Sequence, residues 1–452
     1  MSFNIPKTNK KRVIIVGGGF AGLRLAQKLK NSQYQVILID KNNYNQFPPL
    51  IYQIATAGLH PSSISFPFRK LFEDRKDSFF RMTELRAVYP EENYIQTSIG
   101  KIDYDYLVLA NGTTTNFFNN QNIANAAVPM KTVSEAMGLR NALLLNFERA
   151  VTCSSEQERL ELLNIVIVGG GPSGVEIAGA LAEMRKYILH KDYPDMDVSE
   201  VNIHLIQGDK KLLNGMSEKA SESSYRFLTK MHVNIKLNTF VTDYVDNQVI
   251  MNDGSRIPTR NLIWVGGVTA NKIIGISDDA VGRGNRIRVN GYNQVSGYDN
   301  IYAIGDLALM ENEDPDYPKG HPQMAQPALQ QGELLARNLR ALSEGKPLQK
   351  FKYKNLGCMA TIGKNKAVAD IGKLSFSGFI AWVLWMAVHL MSILFVRNKL
   401  SVLMDWIWNY FTYDQSNRMI LRSFDSQTAK ETEQRLKETH WGDIKETHKN
   451  TN

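Results

Sequence analysis

Hydrophobic positions recur in one arrangement at two places along the chain. Arg12 opens a β-branched run, VIIV, that meets three glycines and then a stretch with apolar residues at helical spacing. The same order returns at Asn164. RVIIVGGGFAGLRLAQKL and NIVIVGGGPSGVEIAGAL share eight of eighteen positions, including all four glycines, at an offset of 164 − 12 = 152 residues. Each copy predicts strand, glycine turn and helix, the opening of a nucleotide-binding βαβ unit. Further apolar runs, YLVLA from Tyr106, LIWV from Leu262 and NIYAIGD from Asn300, predict buried strands, and a helix is expected from about Pro327 to Ser343.

The pattern implies an α/β fold with two Rossmann-like dinucleotide-binding domains, the second inserted in the first, and a C-terminal amphipathic membrane-associating unit. The expected boundaries are 1–125 and 299–348 for the first domain, 126–298 for the second, and 349–452 for the C-terminal unit. In that last unit Gly378 to Val396 is 19 residues without a formal charge, bounded by Arg397 and Lys399. Its length just suffices to cross a bilayer. Leu400 to Phe411, LSVLMDWIWNYF, mixes aromatic, aliphatic and polar positions in the manner of an interfacial helix, which favours a peripheral, one-leaflet reading over a span. From Arg397 onward nine Lys/Arg face eight Asp/Glu, so insertion of apolar groups rather than charge would hold the unit to lipid. The polar stretch from about Thr428 is expected to be mobile.

Composition narrows this picture. Of 452 residues 43% are hydrophobic and 22% charged, ordinary globular usage that excludes global disorder. Cys153 and Cys358 are the only cysteines, which excludes a disulfide scaffold, a CxxC pair and a thiolate cluster. No HExxH or His/Cys cluster suggests a metal. The net charge of +8 comes without a basic, aromatic-interleaved tract, so nucleic acid is set aside as a partner. The N-terminal MSFNIPKTNKKR has no apolar stretch of the signal-peptide kind, so a cytoplasmic start is expected.

Gly17, Gly19 and Gly22 form GxGxxG directly after a strand. The first allows a sharp turn, the second lets a pyrophosphate approach the backbone, and the third lets helix and strand pack. Asp40 closes the next strand, where a carboxylate accepts ribose hydroxyls. Gly169, Gly171 and Gly174 repeat the motif, but the matching strand ends at Gln207. Without an acid there a 2′-phosphate is less strongly repelled, unless Asp209 compensates; NADH is expected as the main donor, with room for NADPH. Two dinucleotide sites on one chain point to a tightly held flavin and a diffusing nicotinamide.

On these motifs, together with FPPLIYQIATAGL, LVLANG, GGGPSGVEIAGALAE, YAIGD, AQPALQQG and ATIGKNKAVAD, nearly the whole chain resembles the type II NADH dehydrogenases. These are non-proton-pumping NADH:quinone reductases among the two-dinucleotide-binding-domain flavoproteins. The resemblance implies FAD as cofactor, hydride transfer from NADH to flavin N5, and two-electron reduction of a membrane menaquinone or ubiquinone. It also implies a homodimer at the cytoplasmic face of the cell membrane. It places FAD against Gly17, Gly18, Gly19, Phe20, Ala21, Gly22, Asp40, Lys41, Pro48, Leu50, Leu85, Ala110, Asn111, Gly112, Asp306, Ala325 and Gln326. NADH is placed against Gly169, Gly170, Gly171, Pro172, Ser173, Gly174, Glu176, Gln207, Gly266 and Gly267. Gln326 and Gln330 carry the family's AQxxxQ quinone signature, four apart on one helix face. Glu176, on the first turn of the second glycine helix, is the catalytic candidate for proton delivery. An acid there also complements the helix dipole. Glu183, a little further on, is expected as solvated surface.

Two rival functions stand beside this one. A sulfide:quinone reductase shares the architecture but needs flavin-side cysteines, of which only Cys358 is placed near. An NADH-binding flavoprotein sensor with slow turnover would need neither AQPALQ nor an apolar C-terminal stretch.

Overall fold

The computed structural model describes residues 3–415 and 417–421; the polar tail expected from Thr428 lies outside them. Two five-stranded parallel sheets form the frame. In the first, Ile301–Ala303, Tyr106–Leu109, Arg12–Val16, Gln35–Asp40 and Ser78–Met82 lie side by side in that order. In the second the order is Val128–Pro129, Asn261–Trp264, Asn164–Val168, Asn202–Ile206 and Val233–Lys236. The inner strands are apolar without alternation because helices and loops cover both faces.

The chain leaves the first sheet, builds the second, and returns. Ile301–Ala303 pairs with Tyr106–Leu109, and helix Ala325–Ser343 then packs on helix Phe20–Lys28. The two helices approach closely: a Cβ on Gly332 would lie 2.4 Å from Ala21 O. Tyr34 Oη donates to Leu339 O at 2.7 Å and Arg24 pairs with Glu333 at 2.6 Å, fastening the returning segment to the first βαβ unit.

The C-terminal part starts as a platform rather than an anchor. Cys358–Gly363, Lys366–Ile371 and Leu374–Gly378 form an antiparallel sheet against helix Pro172–Met184. The fit is tight, since a Cβ on Gly179 would meet Ile362 O at 1.8 Å. The uncharged stretch that follows is broken: helix Phe379–Ser392 ends, Ile393 to Phe395 turn, and helix Val396–Thr412 begins. Phe395 takes a positive φ of 58° at the turn. Among the described residues no helix is long and apolar enough to cross a membrane, which decides against the span that hydropathy alone allowed. Instead each helix shows a stripe of exposed apolar residues, Phe379, Ile380, Val383 and Met391 on one and Val396, Leu400, Met404, Trp408 and Phe411 on the other. Ala381, Trp385 and Val402 face inward and are buried.

Candidate active site

The two glycine loops are near-copies in space. Gly17 and Gly169 take φ of +104° and +114°, and a Cβ at either would strike the carbonyl of Ala110 or Val265, just past the end of the neighbouring strand. Gly22 and Gly174 let helix N-termini press on Gly17 O and Gly169 O. Gly19 and Gly171 are different: a Cβ there would meet nothing within 4 Å, so each faces open space at the start of a helix.

The helix starts at both loops share a second property. Helices Val133–Thr152, Glu156–Leu163 and Glu218–Lys230 are capped by the side chains of Thr132, Ser155 and Ser217. Helices Phe20–Lys28, Pro172–Met184 and Ala325–Ser343 have no side-chain cap. Orphan N–H groups and a positive dipole end are what an anionic ligand meets there.

At the first loop Gly18 N–H donates to Asp40 Oδ2 at 2.7 Å, and Asn42 N–H to Oδ1 at 2.8 Å. Burial pushes the Asp40 pKa up, and these two donors offset it. Asn45 Nδ2 donates to Gly18 O at 2.7 Å, and the Phe68 ring closes over Gly18. Ala110 is buried behind the loop, while Asn111 and Gly112 border it. Asn111 Oδ1 is buried and accepts no hydrogen bond among the described residues. Phe20 and Ala21 start the helix, and Lys41 is exposed. Further out, Leu50 is wholly buried, Pro48 is exposed, and Leu85 lies in a strand packed on the core below the first sheet.

At the second loop Gly170 N–H donates to Gln207 Oε1 at 2.6 Å. Gln207 thus does for Gly170 what Asp40 does for Gly18. Pro172 and Ser173 are exposed on the first turn; Gly266 packs on Val168, and Gly267 borders Phe118.

Glu176 lies between this loop and the platform, only 7% exposed. Thr361 N–H reaches its Oε1 at 3.4 Å. Burial drives its pKa up to about 8, the Thr361 N–H and the nearby Trp385 indole pulling it back only in part. The indole N–H closes no bond of ordinary geometry. Tyr52 is buried nearby, and its hydroxyl is pushed well up by burial and then by the charge of Glu176. Trp385 stacks on His389 at 4.2 Å, and burial lowers the His389 pKa to about 4, keeping it neutral in its apolar helix. Glu183 corrects its expectation as solvated surface. It accepts the Lys364 N–H at 2.6 Å, and burial raises its pKa, because the platform turn folds over it.

Asp306 sits in the turn Gly305–Leu307 after the returning strand, not at a helix N-cap. Burial raises its pKa, against the pull of Lys131, Arg286 and Thr113. Lys131 Nζ donates to Thr113 Oγ1, which reaches Asp306 Oδ2 at 3.5 Å. Gln331 Oε1 accepts the Gly305 N–H at 2.7 Å, and Gln323 Nε2 donates to Asp306 O at 3.1 Å. Lys131, Thr113 and Gln323 belong to no motif of their own, and Gln331 lies within AQPALQQG without being one of its signature positions; sequence reasoning missed all four.

The two signature glutamines part company. Ala325 and Gln326 open the uncapped helix, with Gln326 partly exposed and without a hydrogen-bond partner among the described residues. Gln330 is tied at both amide ends to Lys354, donating to its carbonyl at 2.9 Å and accepting its N–H at 3.0 Å. Its side chain ties the helix to the segment that carries Lys354.

Open space at Gly19, an uncapped helix behind it, the strand-end carboxylate of Asp40 and the unpartnered Asn111 oxygen fit a flavin dinucleotide. Cys153 and Cys358 are both free and 205 residues apart, so the pair that sulfide chemistry needs is missing from the described residues.

Comparisons agree with this geometry. Residues 11–332 match the pyridine nucleotide-disulphide oxidoreductase family, and residues 355–413 match the NDH2 C-terminal domain. A type II NADH:quinone oxidoreductase of Mycobacterium tuberculosis is 32% identical over 414 residues, covering 88% of this chain and 86% of the relative. One of Haemophilus influenzae is 31% identical over 389 residues, covering 80% and 87%. The structure of NDH2 from Plasmodium falciparum in complex with NADH superposes with a TM-score of 0.83 at 21% identity, over 92% of this chain and all of that one. The chain therefore belongs to the type II NADH:quinone oxidoreductases, FAD-dependent enzymes that oxidise NADH and reduce a quinone.

Proposed function

We propose that Glu176 delivers a proton during quinone reduction, that the first glycine loop seats FAD and the second NADH, and that the two C-terminal helices lie in one lipid leaflet. The observation that carries this reading is a carboxyl only 7% exposed, at the foot of the second loop and under the platform, where burial drives its pKa up to about 8. A quinone takes up two electrons and two protons, whereas NADH brings two electrons and one proton, so one proton must come from the protein or solvent. An acid with a pKa near the working pH suits that transfer. Bound FAD supplies a ring that takes two electrons from a nicotinamide and hands them to a quinone. Gly17 to Gly22, Asp40 and Asn111 would hold its adenosine diphosphate, and Asp306 its ribityl side. Lys131 and Arg286 oppose the rise that burial imposes on the Asp306 pKa, and Gln331 fixes the turn that carries it. Gln326 would offer its amide to a quinone carbonyl without adding charge.

The lipid surface is supported by the two apolar stripes, with Met391 71% and Phe411 79% exposed. Menaquinone and ubiquinone both carry tails that remain in such a layer. Replacing Met391 and Phe411 together by glutamate is expected to leave the flavin spectrum intact and to release the protein from liposomes in a flotation assay. Flotation unchanged by both charges would contradict the surface. The reading includes a homodimer at the cytoplasmic face of the membrane. Light scattering in detergent checks the first, and protease access in inverted vesicles the second.

A further inference from the structure

The two loops of this chain can be compared bond by bond, and they differ in where the acid stands. In the first, Asp40 takes the Gly18 N–H, and the residue two positions on is an amide, Asn42. In the second, the amide of Gln207 takes the Gly170 N–H, and the residue two positions on is an acid, Asp209. Both comparisons run at the same offset, 207 − 40 = 209 − 42 = 167 residues. Acid and amide are transposed.

The hydrogen bonds give the transposition a purpose. Gln207 Oε1 is engaged by Gly170, and its Nε2 donates to Asp209 Oδ2 at 2.9 Å. Asn214 Nδ2 donates to the same oxygen at 3.3 Å, and Asn238 N–H holds the Asp209 carbonyl at 3.1 Å. One carboxylate oxygen is thus tethered by two amides, while Oδ1 makes no hydrogen bond among the described residues. The side chain is exposed, just past the strand end where a dinucleotide fold meets the adenosine ribose. Of the nearby cations, Lys211 is paired with Glu218 at 2.7 Å and Lys236 reaches toward Ser255 at 3.5 Å, while Lys210 is exposed beside Asp209.

We infer that Asp209, not Gln207, sets the choice of pyridine nucleotide: its free oxygen accepts the adenosine ribose hydroxyls of NADH and its charge repels the 2′-phosphate of NADPH. Gln207 is the positioning residue that aims it. This rests on the second loop being the NADH site. With Asp209 neutral, Lys210 and Lys236 become partners for a 2′-phosphate.

The test uses the FAD-loaded full chain and its Asp209→Asn variant. Calorimetry with ADP-ribose and with 2′-phospho-ADP-ribose reads binding, and kcat/KM with NADH and NADPH and a soluble quinone reads preference. The wild type is expected to favour NADH and ADP-ribose. In the variant both preferences are expected to fall about tenfold or more, the loss of one charge-assisted hydrogen bond and one repulsion. Adding Gln207→Glu to Asp209→Asn moves the acid back to the position of Asp40, and the preference for NADH is expected to return. Wild-type preferences unchanged by Asp209→Asn, or a wild type that favours NADPH, overturn the inference alone. A wild type that neither binds ADP-ribose nor oxidises NADH overturns it together with the assignment of the second loop.

Discussion

Glutamate at Gly19 is expected to give a folded protein that is colourless and inactive. The backbone there has a φ of −68°, open to any residue, and a Cβ meets nothing within 4 Å, so the substitution does not strain the fold. It does fill the opening at the helix start. A carboxylate about 4 Å from a diphosphate charge opposes binding by about 4 kcal/mol near a protein surface, roughly a thousandfold in affinity, before any steric loss. The matched variant Gly171→Glu sits in the same geometry at the second loop, with a φ of −73° and equally open space. It is expected to keep its yellow colour, to be reducible by dithionite and to remain oxidised on addition of NADH. Visible spectra of the two purified proteins check both outcomes. A yellow Gly19→Glu protein with wild-type turnover would move the flavin away from the first loop.

Glu176→Gln is expected to slow quinone reduction about a hundredfold, within the usual range for a positioned general acid. Reduction of ferricyanide, which accepts electrons without protons, falls far less. In the wild type, turnover with quinone declines as pH rises through about 8 and Glu176 ionises. The variant loses that limb. Stability changes in the same direction but over a lower pH window. The folded carboxyl keeps its proton between its ordinary pKa of 4.5 and about 8, while the unfolded one has lost it. The native state therefore binds more protons in that window, and wild-type stability falls as pH climbs through it. Glutamine has no proton to lose, so the gain in Tm of the variant is expected to grow from pH 4.5 to pH 8 and then level off. A variant with equal losses for quinone and ferricyanide and an unchanged pH profile would make Glu176 a structural residue.

The fold was readable because the chain repeats a motif whose glycines have separate physical duties. Gly17 must turn, Gly22 must let a helix approach, and Gly19 must leave room; no other residue meets all three demands in that order. The carboxylate of Asp40 was readable for the same reason. What the sequence concealed depends on contacts between distant segments. Glu183 looks like one more polar position on a helix, and only the platform turn, 181 residues later, covers it. Gln331 and Lys131 come from a helix interior and a strand exit with no spacing rule to single them out, yet they meet around Gly305 and Asp306. Gln330 shares a helix face with Gln326, as the spacing requires, but Lys354 takes its amide, a pairing that periodicity does not encode. The break at Ile393 to Phe395 contains neither glycine nor proline, so a hydropathy window runs through it. Its visible consequence is geometric: one apolar run becomes the end of one helix and the start of another, each with its own outward stripe.

An anaerobic titration of the purified protein tests the central claim most directly. The flavin absorbance should bleach on addition of NADH, in proportion to one FAD per chain, and should return when a quinone analogue is added without oxygen. A flavin that NADH leaves oxidised, or that stays reduced in the presence of quinone, would contradict the account.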